Sequence, residues 1–359
     1  MAKFIETLDA LMGRILDLDQ RKLDVIGDTL GMRAFVNGGD KLRLYVPIAG
    51  ELNDTFAINP HMRGQIATDL GIPKRYFDRM VESKSRETVD LAATNVNHWL
   101  TTEPNRRMVR AYQEDGGNVG RAWLSPGYRR LDNVEIAKTL LPEFENLGTP
   151  VEFHQAAISD TKLYIRALFP GVEREVKRGD IVRWGVEITN SEVGSGTLGI
   201  RGFILRLVCT NGMTVAYTLK KRHVGRRIDE DGILSDAALQ ADDTAFWLAA
   251  RDTLKATIAE TRFDEIVEQL RSTTGGEEIR RVVEATEVMK KTFGFSDEER
   301  NSIVTHLAAG GDLSRWGALN AITAAAKSAP EVDRQVEMEG LGWEMANVTA
   351  KQWETIALA

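Results

Sequence analysis

The chain has 359 residues, 43% of them hydrophobic and 28% charged, with a formal net charge of −7. This is the composition of a globular protein with room for two domains, or one large domain with an appendage. A single cysteine excludes an internal disulfide and any multi-cysteine metal site, no apolar run approaches the roughly 18–20 residues that span a bilayer, and the acid-containing N-terminus excludes a signal peptide, so a cytoplasmic location is expected.

The charge is unevenly placed. Residues 229–359 hold 25 acids and 13 bases, a balance of −12, which leaves +5 for the preceding 228 residues. A basic front and an acidic back suggest two functional parts, although helix-rich segments also carry more glutamate for structural reasons.

In chain order, the apolar spacing of Phe4, Leu8, Leu11, Met12, Ile15 and Leu16 predicts an amphipathic helix within residues 4–30. Residues 32–36 and 42–46 read as strands joined by Asn37-Gly-Gly-Asp40, where asparagine and glycine tolerate positive φ. Residues 61–80 read as two helical pieces broken at Gly71-Ile72-Pro73. Ala67, Gly71 and Phe77 there have the spacing of a helix-turn-helix, which would leave Lys74, Arg75 and Arg79 on the second helix; an ordinary helical hairpin has the same pattern. Residues 108–112 and 119–124 alternate as a second hairpin around Glu114-Asp-Gly-Gly117. Asp132 or Asn133 caps a helix running to about Glu145. Six arginines and two acids within residues 105–130, beside Tyr112, Trp123 and Tyr128, suit a surface that holds phosphates and stacks bases. They equally suit ordinary strands with arginine on the exposed face.

From Pro150 the chain turns strand-rich. Residues 151–158, 162–169, 181–189 and 198–209 read as strands whose short connections imply antiparallel pairing. A turn at Thr210-Asn-Gly-Met213 returns the chain along residues 214–219. After Asp229 the pattern is helical to the end, including a capping box at Ser296 and Glu299.

No nucleotide-binding glycine loop, nucleophile elbow or His-Glu-x-x-His motif is present, and the five histidines lack ligand spacing. Cys209 follows an apolar strand and reads as a small buried hydrophobe. The strongest functional signal is a basic run. Between Val193 and Ile228 stand Arg201, Arg206, Lys220, Lys221, Arg222, Arg226 and Arg227, with no acid. Cations in such a run neutralise phosphates and release counterions, and arginine adds bidentate geometry. His223 lies among these bases, which disfavour its protonation and leave a neutral ring able to bond a phosphate.

The phrase Leu205-Arg-Leu-Val-Cys-Thr-Asn-Gly-Met213, followed by Arg222-His-Val-Gly225, resembles the core signature of the phage- and plasmid-associated family called domain of unknown function 932. Leu124-Ser-Pro-Gly-Tyr-Arg-Arg-Leu-Asp-Asn133 is similar to the family's turn before a helix. Arg315-Trp-Gly-Ala-Leu-Asn-Ala-Ile-Thr323 and Glu337-Met-Glu-Gly-Leu-Gly342 are similar to its C-terminal extension. The resemblance runs from about residue 60. It departs at Thr189-Asn-Ser-Glu-Val-Gly194, where many members carry Asn-Ser-His-Asp-Gly. It implies mobile-element, replication and recombination surroundings in a bacterial host, and no catalytic residue carries over.

The expected fold is α+β: an antiparallel sheet core with flanking helices and an all-helical C-terminal region. The expected divisions are a mixed region 1–150, a sheet with a basic hairpin arm 151–228, and a helical region 229–359. The expected function is non-catalytic nucleic-acid binding, of the single-strand binding or annealing type, without cofactor or metal. It would use Arg201, Arg206, Lys220, Lys221, Arg222, His223, Arg226 and Arg227, with Arg129 and Arg130 as a second group. One alternative is an assembly module in which the basic run meets an acidic surface, such as the tail of another copy. Another is a nucleic-acid-processing enzyme whose site the sequence does not reveal; bound metal, or perturbed acids clustered in a pocket near His154 or His223, would point to it.

Overall fold

The computed structural model describes residues 7–47, 55–221 and 236–359. The protein is α+β, with two mostly antiparallel sheets and a helical C-terminal region. Helix α1 (Leu8–Gln20) is capped by the Thr7 side chain and buries Leu11 and Ile15. It ends earlier than its apolar spacing suggests. Lys22–Asp28 instead forms strand β1, in which Val25 is buried and Ile26 faces outward. β2 (Arg33–Val36) and β3 (Leu42–Tyr45) form the expected hairpin, with Asp40 at φ 54° and the Asn37 side chain accepting from Gly39 and Lys41.

β4 (Thr55–Ile58) leads into three helices: α2 (Pro60–Asp69), α3 (Lys74–Val81) and α4 (Arg86–Thr102). β5 (Arg106–Tyr112) and β6 (Asn118–Leu124) complete a six-stranded sheet of order β1-β5-β6-β4-β3-β2. Its β4–β6 pair is parallel, because the three helices form the crossover between β4 and the hairpin that follows. This sheet and helices α2–α4 share one hydrophobic core, which includes Val25, Leu44, Phe56, Ile66, Phe77, Val96 and Trp123.

Helix α5 (Asn133–Glu145), with a capping box from Asp132 and Glu135, precedes the second sheet. That sheet runs β11-β10-β9-β8-β7, all antiparallel. Its members are β7 (Glu152–Ile158), β8 (Leu163–Lys177), β9 (Asp180–Asn190), β10 (Leu198–Arg206) and β11 (Asn211–Lys221). The sequence then supplies α6 (Asp236–Ile258), α7 (Glu260–Arg271), α8 (Val282–Phe293), α9 (Asp297–Gly310), α10 (Arg315–Ala326), α11 (Val332–Ala346) and α12 (Ala350–Ala357). The second sheet, the C-terminal helices, α1 and α5 share the larger core, which includes Leu11, Leu140, Trp184, Ile204, Phe263 and Trp316. The helical region is therefore packed on the sheet rather than set apart from it. No helix among the described residues is long and apolar enough to cross a membrane.

Candidate nucleic-acid interface

The β10–β11 hairpin carries the basic run. Its turn is tight: Thr210 sits at φ 53°, and a Cβ on Gly212 would come within 2.8 Å of the Phe203 ring. The register pairs Arg206 with Asn211 at the turn and Leu198 with Lys221 at the far end. Among the described residues β11 is the last strand of the sheet, with a strand neighbour on one side only. Lys220 and Lys221 are its final two residues, opposite Gly199 and Leu198. The described part of the basic run, Lys220 and Lys221, therefore lies at the end of an edge strand. Arg222, His223, Arg226 and Arg227 lie outside the described residues.

Arg201 and Arg206 require a correction, because both turn inward. Arg201 is only 8% exposed, and its Nε donates to Glu187 Oε1 at 2.7 Å. Glu187 is its direct cross-strand partner on β9. Arg206 makes a two-pronged bond to Asp180, 2.6 and 2.7 Å, and its Nη1 donates to Cys209 Sγ at 3.3 Å. Trp316 Nε1 donates to the same Asp180 carboxylate at 2.9 Å, tying α10 to the sheet. A run without acids in the sequence is thus not without acids in space: the partners come from the neighbouring strand. Cys209 is half-buried, because β10 ends three residues earlier and places it in the turn.

The second predicted pair divides. Arg129 bonds Asp242 at 2.9 Å and lies over the Phe246 ring at 4.6 Å. Arg130 is half exposed, 3.5 Å from Asp24. It alone of these four arginines keeps a largely open side chain. Most of the remaining arginines of residues 105–130 are also paired: Arg107 with Asp69, Arg110 with Asp24 and Asp132, and Arg121 with Glu192.

Two buried charge networks were not visible in the sequence. In the first, Arg166 is fully buried, bonds Glu187 and Glu339, and donates to Gln155 Oε1 at 2.8 Å. This links β7, β8 and β9 to α11. Burial alone would raise the Glu187 pKa, but the charges of Arg201 and Arg166 outweigh it and hold it below the usual range. Burial instead raises the Glu339 pKa. His154 has its pKa lowered by burial and by the charge of Arg166. His154 and Glu339 line one cavity of about 560 Å³, together with Gln155, Gln335 and Leu205.

The second network joins the two cores around the loop after β9. Arg110 donates to both oxygens of Asp24, to Asp132 and to the Glu192 carbonyl. His61 Nε2 and Gln65 Nε2 lie 2.9 and 2.7 Å from the Val193 carbonyl. The segment in which this chain departs from the family phrase is therefore a buried structural joint. No group of three or more His, Cys, Asp or Glu residues with metal-holding geometry occurs among the described residues.

The chain was compared with protein-family models, curated proteins and solved structures, and none of them matches.

Proposed function

We propose that the protein binds nucleic acid without catalysing a reaction on it, through the basic arm that begins at Lys220 and Lys221 and runs to Arg227. One observation carries this reading: Lys220 and Lys221, which open an acid-free cationic stretch of the sequence, end a strand that has one strand neighbour among the described residues. An arm of this kind can lie along a single strand and neutralise successive phosphates, with affinity that falls steeply with salt. With Arg201 and Arg206 withdrawn into ion pairs, the reading rests on Lys220, Lys221, Arg222, His223, Arg226 and Arg227, with Arg130 as an outlying contact. The resemblance to the mobile-element family supports the same direction. Fluorescence anisotropy of a labelled single-stranded oligonucleotide tests it, with light scattering alongside. Salt-sensitive binding supports the reading, whereas salt-sensitive self-association without oligonucleotide binding would support the assembly alternative.

A second reading, a nucleic-acid-processing enzyme, draws on the cavity where His154 and Glu339 carry oppositely shifted pKa values. Burial raises Glu339 against the opposing charge of Arg166, and burial together with that charge lowers His154, so a purely structural cause accounts for both. Turnover of an oligonucleotide by the wild type, abolished in His154→Ala, would favour the enzyme.

A further inference from the structure

The helix pair α2–α3 is not used by the arm. Helix α2 ends at Asp69 with Leu70 as its C-cap, Gly71 takes φ 65°, and the Ile72 N–H donates back to the Ala67 carbonyl at 2.8 Å. This closes α2 and starts α3 after a short turn. Residues facing the inside of the pair are buried: Ile66, Ala67, Ile72, Phe77 and Met80 are each 5% exposed or less. A small residue between the helices, a left-handed glycine in the turn and an apolar anchor on the second helix are the structural needs of a helix-turn-helix. Helix α3 packs on α2 and α4.

Its outer face is cationic. Lys74, Arg75 and Arg79 are exposed, and so is the Tyr76 ring at 54%. The acids of this segment, Asp78 and Glu82, are both held by Arg63 of α2, at 2.6 and 2.5 Å. Arg63 thereby offsets one of these two charges and staples the two helices together. Lys74 lies 3.5 Å from Asp78, while Arg75 and Arg79 have no ion-pair partner among the described residues. In the basic front of this protein most arginines are paired, so two adjacent unpaired ones on an exposed second helix stand out.

We propose that α2–α3 is a second nucleic-acid surface, separate from the arm, that docks double-stranded DNA with α3 turned to the major groove. The groove of B-form DNA is wide enough to admit a helix, whereas that of duplex RNA is deep and narrow. A docked α3 therefore discriminates between the two, and a merely cationic patch does not.

The test uses the full chain, with anisotropy of labelled DNA duplex, RNA duplex and single-stranded DNA of one length. The variants are Arg75→Glu/Arg79→Glu, whose side chains are exposed, and Lys220→Glu/Lys221→Glu, with circular dichroism to verify folding. The expected result is that the wild type prefers DNA duplex to RNA duplex. The α3 variant should lose about tenfold or more of its DNA-duplex affinity and about 2 from the salt slope, since each phosphate contact contributes roughly 0.9. Its single-strand binding should stay within about twofold. Equal binding of both duplexes, an unchanged duplex affinity in the α3 variant, or equal losses on duplex and single strand would each overturn the proposal. A wild type that binds DNA duplex through α3 but ignores single strands would leave this inference standing and remove the arm reading.

Discussion

Replacing Arg110 by methionine probes the joint between the two cores. The guanidinium is fully buried and makes four hydrogen bonds of 2.8–3.0 Å, two to Asp24, one to Asp132 and one to the Glu192 carbonyl. Methionine approximates the aliphatic stem but removes the cation, so Asp24 and Asp132 are left with Lys22, 2.5 Å from Asp132, and the half-exposed Arg130, 3.5 Å from Asp24, as close cations. Removing one partner of a buried ion pair costs about 3–5 kcal/mol, because the other charge stays buried without compensation. Asp24 and Asp132 are 14% and 17% exposed, which allows some relief by water and favours the lower end. Arg110→Met should therefore lose about 3 kcal/mol, roughly two orders of magnitude in the folding equilibrium. Arg110→Lys keeps the charge without the fork and should fall between it and the wild type. Guanidinium unfolding followed by tryptophan fluorescence measures both, since Trp123 and Trp184 sit in different cores. The cost lies in the uncompensated carboxylates, so adding Asp24→Asn and Asp132→Asn to Arg110→Met should recover part of the loss. A loss below about 1 kcal/mol, or a triple variant no better than the single one, would refute it.

Three further outcomes follow from the geometry. Gly202→Ala would place a Cβ 2.2 Å from the Trp184 ring and 2.5 Å from Val215, in a site where Trp184 already stacks on Phe263. It should cost about 1–3 kcal/mol, seen as a lower melting temperature. The Glu187 pKa is held below its ordinary value of 4.5, so this residue contributes stability that is present above that pH and lost as pH falls through the folded value. An acid titration of stability should therefore steepen below about pH 4.5 in the wild type and flatten in Glu187→Gln, which will also be less stable at neutral pH. Ser296→Ala removes the cap that accepts from the Glu299 N–H at 3.1 Å, and should cost about 1 kcal/mol by thermal melting.

Much of the fold is legible in the sequence where local rules are strong. The 33–45 hairpin, the 106–124 hairpin, the strands of the second sheet and the capped helices α5 and α9 all follow from alternation, turn residues and caps. Strand β1 does not, because Lys22–Asp28 gains its strand form from pairing along the whole of β5, a contact some 85 residues away. The same limit governs the site. Arg201 and Arg206 read as free cations because their partners, Glu187 and Asp180, lie on a neighbouring strand. What strand alternation does carry is a hint: Glu187 interrupts an otherwise apolar stretch of β9, where only a paired charge is tolerated. The helix-turn-helix spacing is readable, but the pairing of its two acids with Arg63 and Lys74 is seen only in the structure.

The central claim is that the arm from Lys220 to Arg227 holds nucleic acid. The most direct test is the salt dependence of single-strand binding by the full chain, compared with a variant in which Lys220, Lys221, Arg222, Arg226 and Arg227 are all alanine. Five phosphate contacts on a single strand give a slope of about −3.5 in log affinity against log salt, or roughly a hundredfold between 50 and 200 mM. The account predicts a slope approaching that value for the wild type and near zero for the variant. A wild type that shows no salt-sensitive binding, or a variant that keeps the same slope, would contradict it.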